Sequence, residues 1–233
     1  RPPGACLDLG CTTPPAPRGR RPRATLTDSV MSKPKLTYFD APVSRGEECR
    51  LAFSVAGMDF EDVRLSREQW GAMKPSSPYG AVPILEIAGK PHLAHSNAIL
   101  GWIGSQSNLL PKDPFDAALH VAMMEGVEEL RHKLATTLFI EDAEAKKKAR
   151  EDAAATTIPQ WAARVEKLVT GPFAFGKDIS VADLKLYMIV RWLTGGKLDH
   201  IPTTVLDAFP KLKGVAAAVA DHPGVKAWQS KAS

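Results

Sequence analysis

The sequence predicts an α/β domain followed by an all-helical domain. Two observations lead to this prediction. Residues 35–107 contain strand and helix patterns in alternation, separated by short turns. Beyond a proline-containing linker at residues 111–114, apolar residues recur at helical spacing and no convincing strand pattern follows. The chain has 233 residues, which is long enough for two domains with sizeable cores.

The first three elements are predicted to form a βαβ unit. Lys35–Phe39 alternates between apolar and polar side chains, which indicates a strand. Arg45–Ala56 has apolar residues at helical spacing, and Gly57 supplies the stop. Phe60–Leu65 is predicted as the second strand. Such a unit should place its two strands in parallel, with a right-handed crossover.

A strand, a hairpin and a capped helix are predicted next. After the turn Pro78-Tyr79-Gly80, an apolar strand begins at Pro83, where a proline costs no ladder hydrogen bond. The chain then reverses, residues 92–94 form a short return strand, and Ser96 is expected to cap a helix. The resulting βαβ-ββα order predicts a thioredoxin-like domain over residues 33–107. The N-terminus of the last helix would suit a carboxylate.

The second domain, residues 115–233, is predicted to be helical throughout. Its helices are expected at Phe115–Phe139, Ile158–Val169, Ser180–Leu193, Asp207–Val219 and Val225–Lys231. Ser180 and Asp183 form a capping box in which Asp replaces the usual Glu. The strongly charged run Glu141–Asp152 is interpreted as a solvated segment without a functional role.

The basic excess of the chain lies in its N-terminal tail. Five arginines and two aspartates precede Met31, and the formal charge of the whole chain is only +4. No nucleic-acid partner is therefore predicted. Residues 1–32 are predicted to be a disordered leader rich in Pro and Arg, with Met31 as the natural start. A transit peptide is the alternative, favoured by the arginines and the scarcity of acidic residues.

Cysteine content and hydropathy restrict the kinds of site and the cellular location that the sequence predicts. Cys49 is the only cysteine in the predicted domains, so neither a disulfide framework nor a zinc spacing can be built. His92 and His95 lack a third ligand, and no metal site is predicted. No stretch approaches the roughly 18 apolar residues of a membrane span. A cytoplasmic protein without a membrane partner is expected.

Two motifs resemble those of glutathione S-transferases. Ser77-Pro78-Tyr79-Gly80-Ala81-Val82-Pro83-Ile84-Leu85, with Ser96-Asn97-Ala98-Ile99, resembles the glutathione-binding segment. Phe173-x-Phe175-Gly176 and Leu184-x-Leu186-Tyr187, on either side of the capping box, resemble the helix-capping motif of the C-terminal domain. The resemblance implies a cytosolic, tyrosine-type, sigma/alpha-like enzyme. Such an enzyme would be a homodimer that conjugates the thiolate of glutathione, its co-substrate, to apolar electrophiles and needs no metal.

The resemblance assigns the catalytic role to Tyr38, at the C-terminal end of the first strand. Its hydroxyl would donate a hydrogen bond to the thiolate. Lowering the pKa of a thiol by two units requires about 2.7 kcal/mol, and one charged hydrogen bond contributes about 1.5–3 kcal/mol. Ser44 is the rival, because some classes use a serine in this loop, which here is one residue longer than usual. Arg45 corresponds to an arginine near the reacting thiol, with Arg50 and Arg64 as alternatives.

Several further residues are implied in glutathione binding. Trp70 and Lys74 would hold the glycyl carboxylate, since an indole N–H and an ammonium both suit an anion. The backbone of Val82 would bind the cysteinyl unit, Pro83 would be cis, and Ser96 would hold the γ-glutamyl carboxylate.

One position near this site departs from the family pattern, and another is implied to serve the partner subunit. His95 stands where the family has Gln or Glu, but it can still donate a hydrogen bond to the γ-glutamyl group. Glu125 would face the γ-glutamyl amine bound in the partner subunit. The pocket for the hydrophobic electrophile is expected between Val43 and the helix stripe around Met123 and Met124.

Two alternative functions remain open at this point. One is a glutathione-dependent isomerase acting on a maleylacetoacetate-like or prostanoid-like substrate. The other is a non-catalytic ligand-binding or structural member of the same fold. Reductive deglutathionylation is not predicted, because Cys49 falls a full turn inside the first helix.

Overall fold

Four short strands form a single sheet in the computed structural model, which describes residues 33–231. The strands are β1 Lys35–Phe39, β2 Glu61–Leu65, β3 Ile84–Glu86 and β4 Leu93–Ala94. Their order in the sheet is β2-β1-β3-β4. Strands β1 and β2 are parallel, as predicted, and β3 is antiparallel to both β1 and β4. The predicted leader, residues 1–32, lies outside the described residues.

Helices and the loops between them make up the remainder of the described chain. Three belong to the sheet region: α1 Ser44–Val55, α2 Arg67–Met73 and α3 Ser96–Ser105. Six follow: α4 Pro114–Thr136, α5 Ala143–Asp152, α6 Ile158–Leu168, α7 Val181–Thr194, α8 Pro210–Asp221 and α9 Pro223–Lys231. The α/β region followed by a helical region confirms the predicted fold class.

One local prediction needs correction. The charged segment is largely exposed, as predicted, and forms a regular helix, α5, whose N-cap Asp142 accepts a hydrogen bond from the Ala145 N–H at 2.7 Å. The cap predicted at Ser96 is wrong. His95 occupies the N-cap position with φ +68°, and Ser96 is the first helical residue. The Ser96 hydroxyl is therefore directed away from the first turn, toward Lys185 of α7.

The capping box at the start of α7 is confirmed. One carboxylate oxygen of Asp183 accepts from the Ser180 N–H at 2.8 Å and from the Ser180 hydroxyl at 2.6 Å. The other oxygen accepts from the Ala174 N–H at 2.6 Å, which ties in the preceding loop. Burial raises the pKa of Asp183, while these hydrogen bonds oppose the rise. The box therefore fixes where α7 begins and how the loop before it packs.

Helix α7 lies in the centre of the core. It is buried on nearly all sides and packs against α1, α4 and α8. One apolar cluster runs from the sheet region into the helices and includes Leu51, Ile103, Val127 and Ile189. Helix α1 contacts both β1 and α7 and so joins the sheet region to the helical region. None of the helices described for this chain is long and apolar enough to cross a membrane.

Candidate active site

Tyr38 lies on β1, with 8% of its surface exposed. Helix α1 approaches its ring so closely that a Cβ added at Gly46 would lie 2.0 Å from the Tyr38 Cδ1. Burial raises the pKa of Tyr38, while a hydrogen bond with the Ser44 side chain and the charge of Arg45 oppose the rise. The phenol therefore stays protonated at neutral pH and can act as a hydrogen-bond donor.

The loop after β1 brings Ser44 and Arg45 to the same place. Ser44 begins α1 with φ +57°, a backbone conformation that costs energy for a residue other than glycine. Tyr79 and His95 share this left-handed conformation, with φ +56° and +68°. Strained residues of this kind tend to cluster at functional sites, where the surrounding structure holds them in place. Here they lie in or beside the segments predicted to bind glutathione.

Arg50 supports this loop, and its Cζ lies 5.8 Å from the centre of the Tyr38 ring. Its guanidinium donates to the carbonyl oxygens of Phe39 at 3.1 Å and Ala41 at 3.0 Å, and to the Asp62 carboxylate at 2.8 Å. Because it is fully buried by these contacts, its role is structural. Of the three arginines weighed near the thiol, Arg45 is the one that lines a cavity beside Tyr38.

A buried cluster of charged residues lies behind Tyr38. The ammonium of Lys185 is fully buried on α7. It lies 3.0 Å from the Glu48 carboxylate, 2.6 Å from the Glu128 carboxylate and 3.0 Å from the Ser96 hydroxyl. Arg131 donates to both Glu48 and Glu128. We call these four ionic residues, Glu48, Glu128, Arg131 and Lys185, the buried charge cluster.

Arg45 extends the cluster to the protein surface. Its guanidinium donates twice to one oxygen of Glu128, at 2.9 and 2.7 Å. Although burial acts to raise the pKa of Glu128, the charges of Lys185, Arg131 and Arg45 lower it to about 2. Three cations thus face two carboxylates next to Tyr38. Their arrangement favours a negative charge close to the phenol.

Sequence reasoning missed the buried charge cluster. Its members come from α1, α4 and α7, and Glu48 is separated from Lys185 by 137 positions. One signal was available: Lys185 interrupts the apolar run of a helix that is otherwise buried. A lysine in that position is almost never fully buried unless it is paired.

The residues predicted to bind glutathione follow the sheet edge beside α3. The Val82–Pro83 peptide bond is cis. No side chain of the described residues caps the first turn of α3, which leaves its N–H groups available. The ring of His95 lies 5.0 Å from that of Tyr79. Ser96 is buried and accepts from Lys185, so its own hydroxyl proton remains free to donate.

Trp70 and Lys74 lie on the other side of the proline turn. The ring of Trp70 contacts that of Phe39, the neighbour of Tyr38, with centroids 6.1 Å apart. Lys74 approaches the turn at Gly80, where a Cβ would lie 3.8 Å from the lysine Cε. The structure therefore places both residues close to the segments that carry Tyr38 and Pro83.

Asn97 adds an unfilled hydrogen-bonding position beside Ser96. Its side-chain nitrogen donates to the Glu125 carboxylate of α4 at 2.7 Å. Its carbonyl oxygen is buried and has no hydrogen-bond partner among the described residues. Buried acceptors are nearly always satisfied, so this oxygen and Glu125 together suit a ligand with N–H donors.

A cavity of about 670 Å³ opens on the other side of Arg45. The loop after β1 contributes Val43, as expected, but Met123 and Met124 are buried in the core and do not line it. The far walls instead come from Ala135 in the last turn of α4, from Leu138 just after that helix, and from the end of α7, including Trp192. The expected pocket thus exists but uses a different part of α4.

A second cavity, of about 770 Å³, lies along α4. Its acidic lining residues are Glu125, Glu128 and Glu129, and Arg45 separates it from the first cavity. Within residues 33–231, no group of three or more His, Cys, Asp or Glu side chains could hold a metal ion. Cys49 is buried, and burial raises the pKa of its thiol, so it is unsuited to nucleophilic chemistry.

Comparisons with known proteins agree with this geometry. Residues 34–105 match the family model for the glutathione S-transferase N-terminal domain, and residues 128–232 match a model for the C-terminal domain. Glutathione S-transferase 1 of Ascaris suum is 31% identical over 206 residues, which cover 85% of this chain and 96% of that protein.

Two solved structures share the fold of this chain over most of its length. The glutathione S-transferase of Ascaris lumbricoides superposes with a TM-score of 0.75 at 31% identity, covering 86% of this chain and 98% of that one. The structure of prostaglandin synthase D of Nilaparvata lugens superposes with a TM-score of 0.76 at 27% identity, covering 85% and 98%.

Proposed function

The chain belongs to the glutathione S-transferase family, and we propose that Tyr38 is the residue that activates glutathione in it. The protein is a glutathione transferase with glutathione as co-substrate, because relatives over most of the chain are named glutathione S-transferase, and the isomerase and non-catalytic alternatives are not favoured. The observation that carries the assignment of Tyr38 is its position. A buried, protonated phenol lies at the strand end beside Arg45 and the buried charge cluster.

The proposed chemistry needs a hydrogen-bond donor to the sulfur of glutathione and positive charge near it. The thiol of glutathione releases its proton to solvent, and the Tyr38 hydroxyl donates a hydrogen bond to the thiolate. Arg45 and the excess cation of the cluster stabilise the same negative charge. The sulfur then attacks the electrophilic carbon, the C–S bond forms, and the leaving group or π-electron pair takes up the displaced electrons. Tyr38 keeps its proton throughout.

The γ-glutamyl end of glutathione is proposed to bind at the start of α3. Its carboxylate would accept from the uncapped N–H groups and from the Ser96 hydroxyl, which Lys185 orients. Its ammonium would donate to the unpaired oxygen of Asn97 and to Glu125. His95, beside Tyr79, would contribute one further donor. In a dimer, Glu125 would also face the partner subunit's γ-glutamyl amine.

The remainder of glutathione is proposed to run along the proline turn. Val82 would pair its backbone with the cysteinyl unit, next to the cis bond to Pro83. Trp70 and Lys74 would hold the glycyl carboxylate through an indole N–H and an ammonium. These roles follow from the family motif, and the proximity of Trp70 to Phe39 and of Lys74 to Gly80 supports them.

A cytoplasmic homodimer of the sigma/alpha-like group is also proposed. Large apolar side chains are exposed on the proline turn and on α4: Tyr79 is 81% exposed, Phe115 is 73% exposed and Leu119 is 43% exposed. A second subunit would remove such surface from water at about 25 cal/mol per Å². Light scattering coupled to size exclusion should give twice the 25.2 kDa chain mass. Tyr79→Ser should shift it toward the monomer.

The assignment of Tyr38 is tested by the ultraviolet difference spectrum of bound glutathione as a function of pH. The wild type should show thiolate at pH 7, with an apparent pKa well below the ~8.5 of a free thiol. Tyr38→Phe should bring the pKa of the bound thiol back to about 8.5. Tyr187→Phe is a matched control, because Tyr187 is also buried but its hydroxyl accepts from Gln229.

Ser44→Ala separates the two candidate donors. If Tyr38 is the donor, Ser44→Ala should keep most of the thiolate signal and alter the pH profile slightly, since Ser44 bonds to the phenol. If Ser44→Ala abolishes the signal and Tyr38→Phe retains it, the assignment of Tyr38 is wrong.

A further inference from the structure

The cavity next to Arg45 combines an apolar body with a cationic end. Val43, Leu138, Met188 and Trp192 supply apolar and aromatic surface. Four cations also line it, Arg45, Arg131, Arg191 and Lys197, and its lining includes no aspartate or glutamate among the described residues. An apolar electrophile alone would gain nothing from this charge.

Two of the four cations already form ion pairs within the protein. Arg45 pairs with Glu128, and Arg131 pairs with both Glu128 and Glu48. Arg191 and Lys197 differ, because the ion pairs between described residues include neither of them. The Cζ of Arg191 instead lies 5.4 Å from the centre of the Tyr187 ring.

The end of α7 explains only part of this charge. The last carbonyl groups of a helix attract cations, and Arg191 lies in the last turn of α7. Lys197 lies beyond the helix, after Gly195, yet lines the same cavity. Two cations without carboxylate partners therefore line a cavity that also carries apolar and aromatic side chains.

We propose that this cavity takes an anionic co-substrate. The co-substrate would be a flat aromatic or conjugated electrophile that carries a carboxylate or sulfonate. Its ring system would pack against Trp192 and Leu138, and its anionic group would lie between Arg191 and Lys197. The inference rests on the proposed function, because it names the class of electrophile that the Tyr38-bound thiolate attacks.

The reaction with such a substrate can be written without further reagents. With a chlorodinitrobenzoate, the thiolate attacks the ring carbon that carries chlorine. The C–S bond forms, the C–Cl bond breaks, and chloride leaves with its electron pair. The carboxylate takes no part in the chemistry and serves only to bind, so its methyl ester is a matched neutral substrate.

Binding is measured first, without turnover, on the full chain. Anilinonaphthalene sulfonate is compared with phenylnaphthylamine, which has the same ring system without the sulfonate, by probe fluorescence. In Arg191→Gln/Lys197→Gln the Kd of the sulfonate should rise about tenfold, and that of the neutral probe should change less than about twofold. Lys213→Gln/Lys226→Gln, which removes two cations outside the cavity, should leave both Kd values unchanged.

Turnover of the chlorodinitrobenzoate and its methyl ester then separates the two proposals. For each substrate, kcat/KM is divided by the rate constant of the uncatalysed reaction. In the wild type this quotient should be larger for the acid than for the methyl ester. The Arg191→Gln/Lys197→Gln protein should lose that preference, mainly through KM, while the ester is still converted.

Two other results would overturn one proposal each. If the ester is converted and neither the sulfonate nor the acid is preferred, the anion site is wrong and the transferase mechanism stands. If neither substrate is converted but sulfonate binding depends on Arg191 and Lys197, the cavity binds anions, and the proposed conjugation of these electrophiles is wrong.

Discussion

The ammonium of Lys185 lies 3.0 Å from the hydroxyl of Ser96, and both side chains are buried. Lys185 belongs to α7 in the helical region, while Ser96 begins α3 beside the sheet. The contact joins the predicted glutathione carboxylate site to the buried charge cluster behind Tyr38. Since the lysine donates, the serine hydroxyl is left to donate to a ligand. Glutathione binding and packing between the two regions thus share one residue.

Lys185→Met should strongly destabilise the protein. The substitution leaves Glu48 fully buried with Arg131 as its remaining close cation. Breaking a buried ion pair from one side costs about 3–5 kcal/mol, measured as the free energy of unfolding in denaturant. Lys133→Met is the matched control, because Lys133 forms an exposed pair with Glu129 and should change stability by less than about 1 kcal/mol. Equal effects of the two substitutions would contradict a buried ionic role for Lys185.

Glu128 should make stability depend on acid pH. Its pKa in the folded protein is about 2, below the ordinary value of 4.5. A lowered pKa stabilises the folded state at pH values above about 4.5, and this stabilisation is lost as the pH falls toward 2. The difference in unfolding free energy between wild type and Glu128→Gln should therefore be largest near neutral pH and shrink below pH 4.5.

Glu129→Gln provides the comparison for this pH series. Glu129 is on the same helix, but its carboxylate is exposed and forms an ion pair with Lys133. Salt should screen that pair more than the partly buried pairs of Glu128. A difference between wild type and Glu128→Gln that stays constant from neutral pH down to acid would show that the carboxylate is not held charged by its neighbours.

Gly46→Ala should disturb Tyr38. A Cβ at position 46 would lie 2.0 Å from the Tyr38 ring, so the strand and α1 must separate or the ring must move. Overpacking of this kind costs about 1–3 kcal/mol. The kcat/KM with a neutral electrophile should fall. The pKa of the bound glutathione thiol should rise toward the value expected in the Tyr38→Phe protein.

Gly101→Ala should have the opposite effect on stability from Gly46→Ala. Gly101 lies inside α3, and a Cβ there would meet no atom within 4 Å. Replacing an interior helical glycine with alanine should stabilise the protein by about 0.5–1 kcal/mol. Thermal unfolding of the two variants should therefore shift in opposite directions.

Asp183→Ala should lower the free energy of unfolding by about 3 kcal/mol or more. The substitution removes the hydrogen-bond acceptor of the Ala174 N–H, the Ser180 N–H and the Ser180 hydroxyl. Ser180→Ala removes one of these donors and leaves the carboxylate two N–H partners, so about 1 kcal/mol is expected. Denaturant unfolding of both variants measures the two losses in the free energy of unfolding. A larger effect for Ser180→Ala would place the stabilisation in the hydroxyl and not in the carboxylate.

Local patterns in the sequence were enough for most secondary structure. The first strand was predicted with its observed ends, and the helix observed at Ser44–Val55 was predicted within one residue at each end. The Asp183 box was also predicted, since its partners lie within a few positions along the chain. Ser96 was misassigned because a serine before a helix commonly caps it, and only the packing of α7 against α3 shows that Lys185 binds it.

By itself, the sequence determined the α/β and helical regions, the proline turn and the presence of a tyrosine at the end of β1. These features depend on side-chain periodicity and on backbone preferences that act over a few residues. Tertiary structure alone decided that Glu48, Glu128, Arg131 and Lys185 form one buried cluster, and that Arg191 and Lys197 share a cavity with Trp192. Electrostatic partners are set by distance and burial, and both depend on how α1, α4 and α7 pack together.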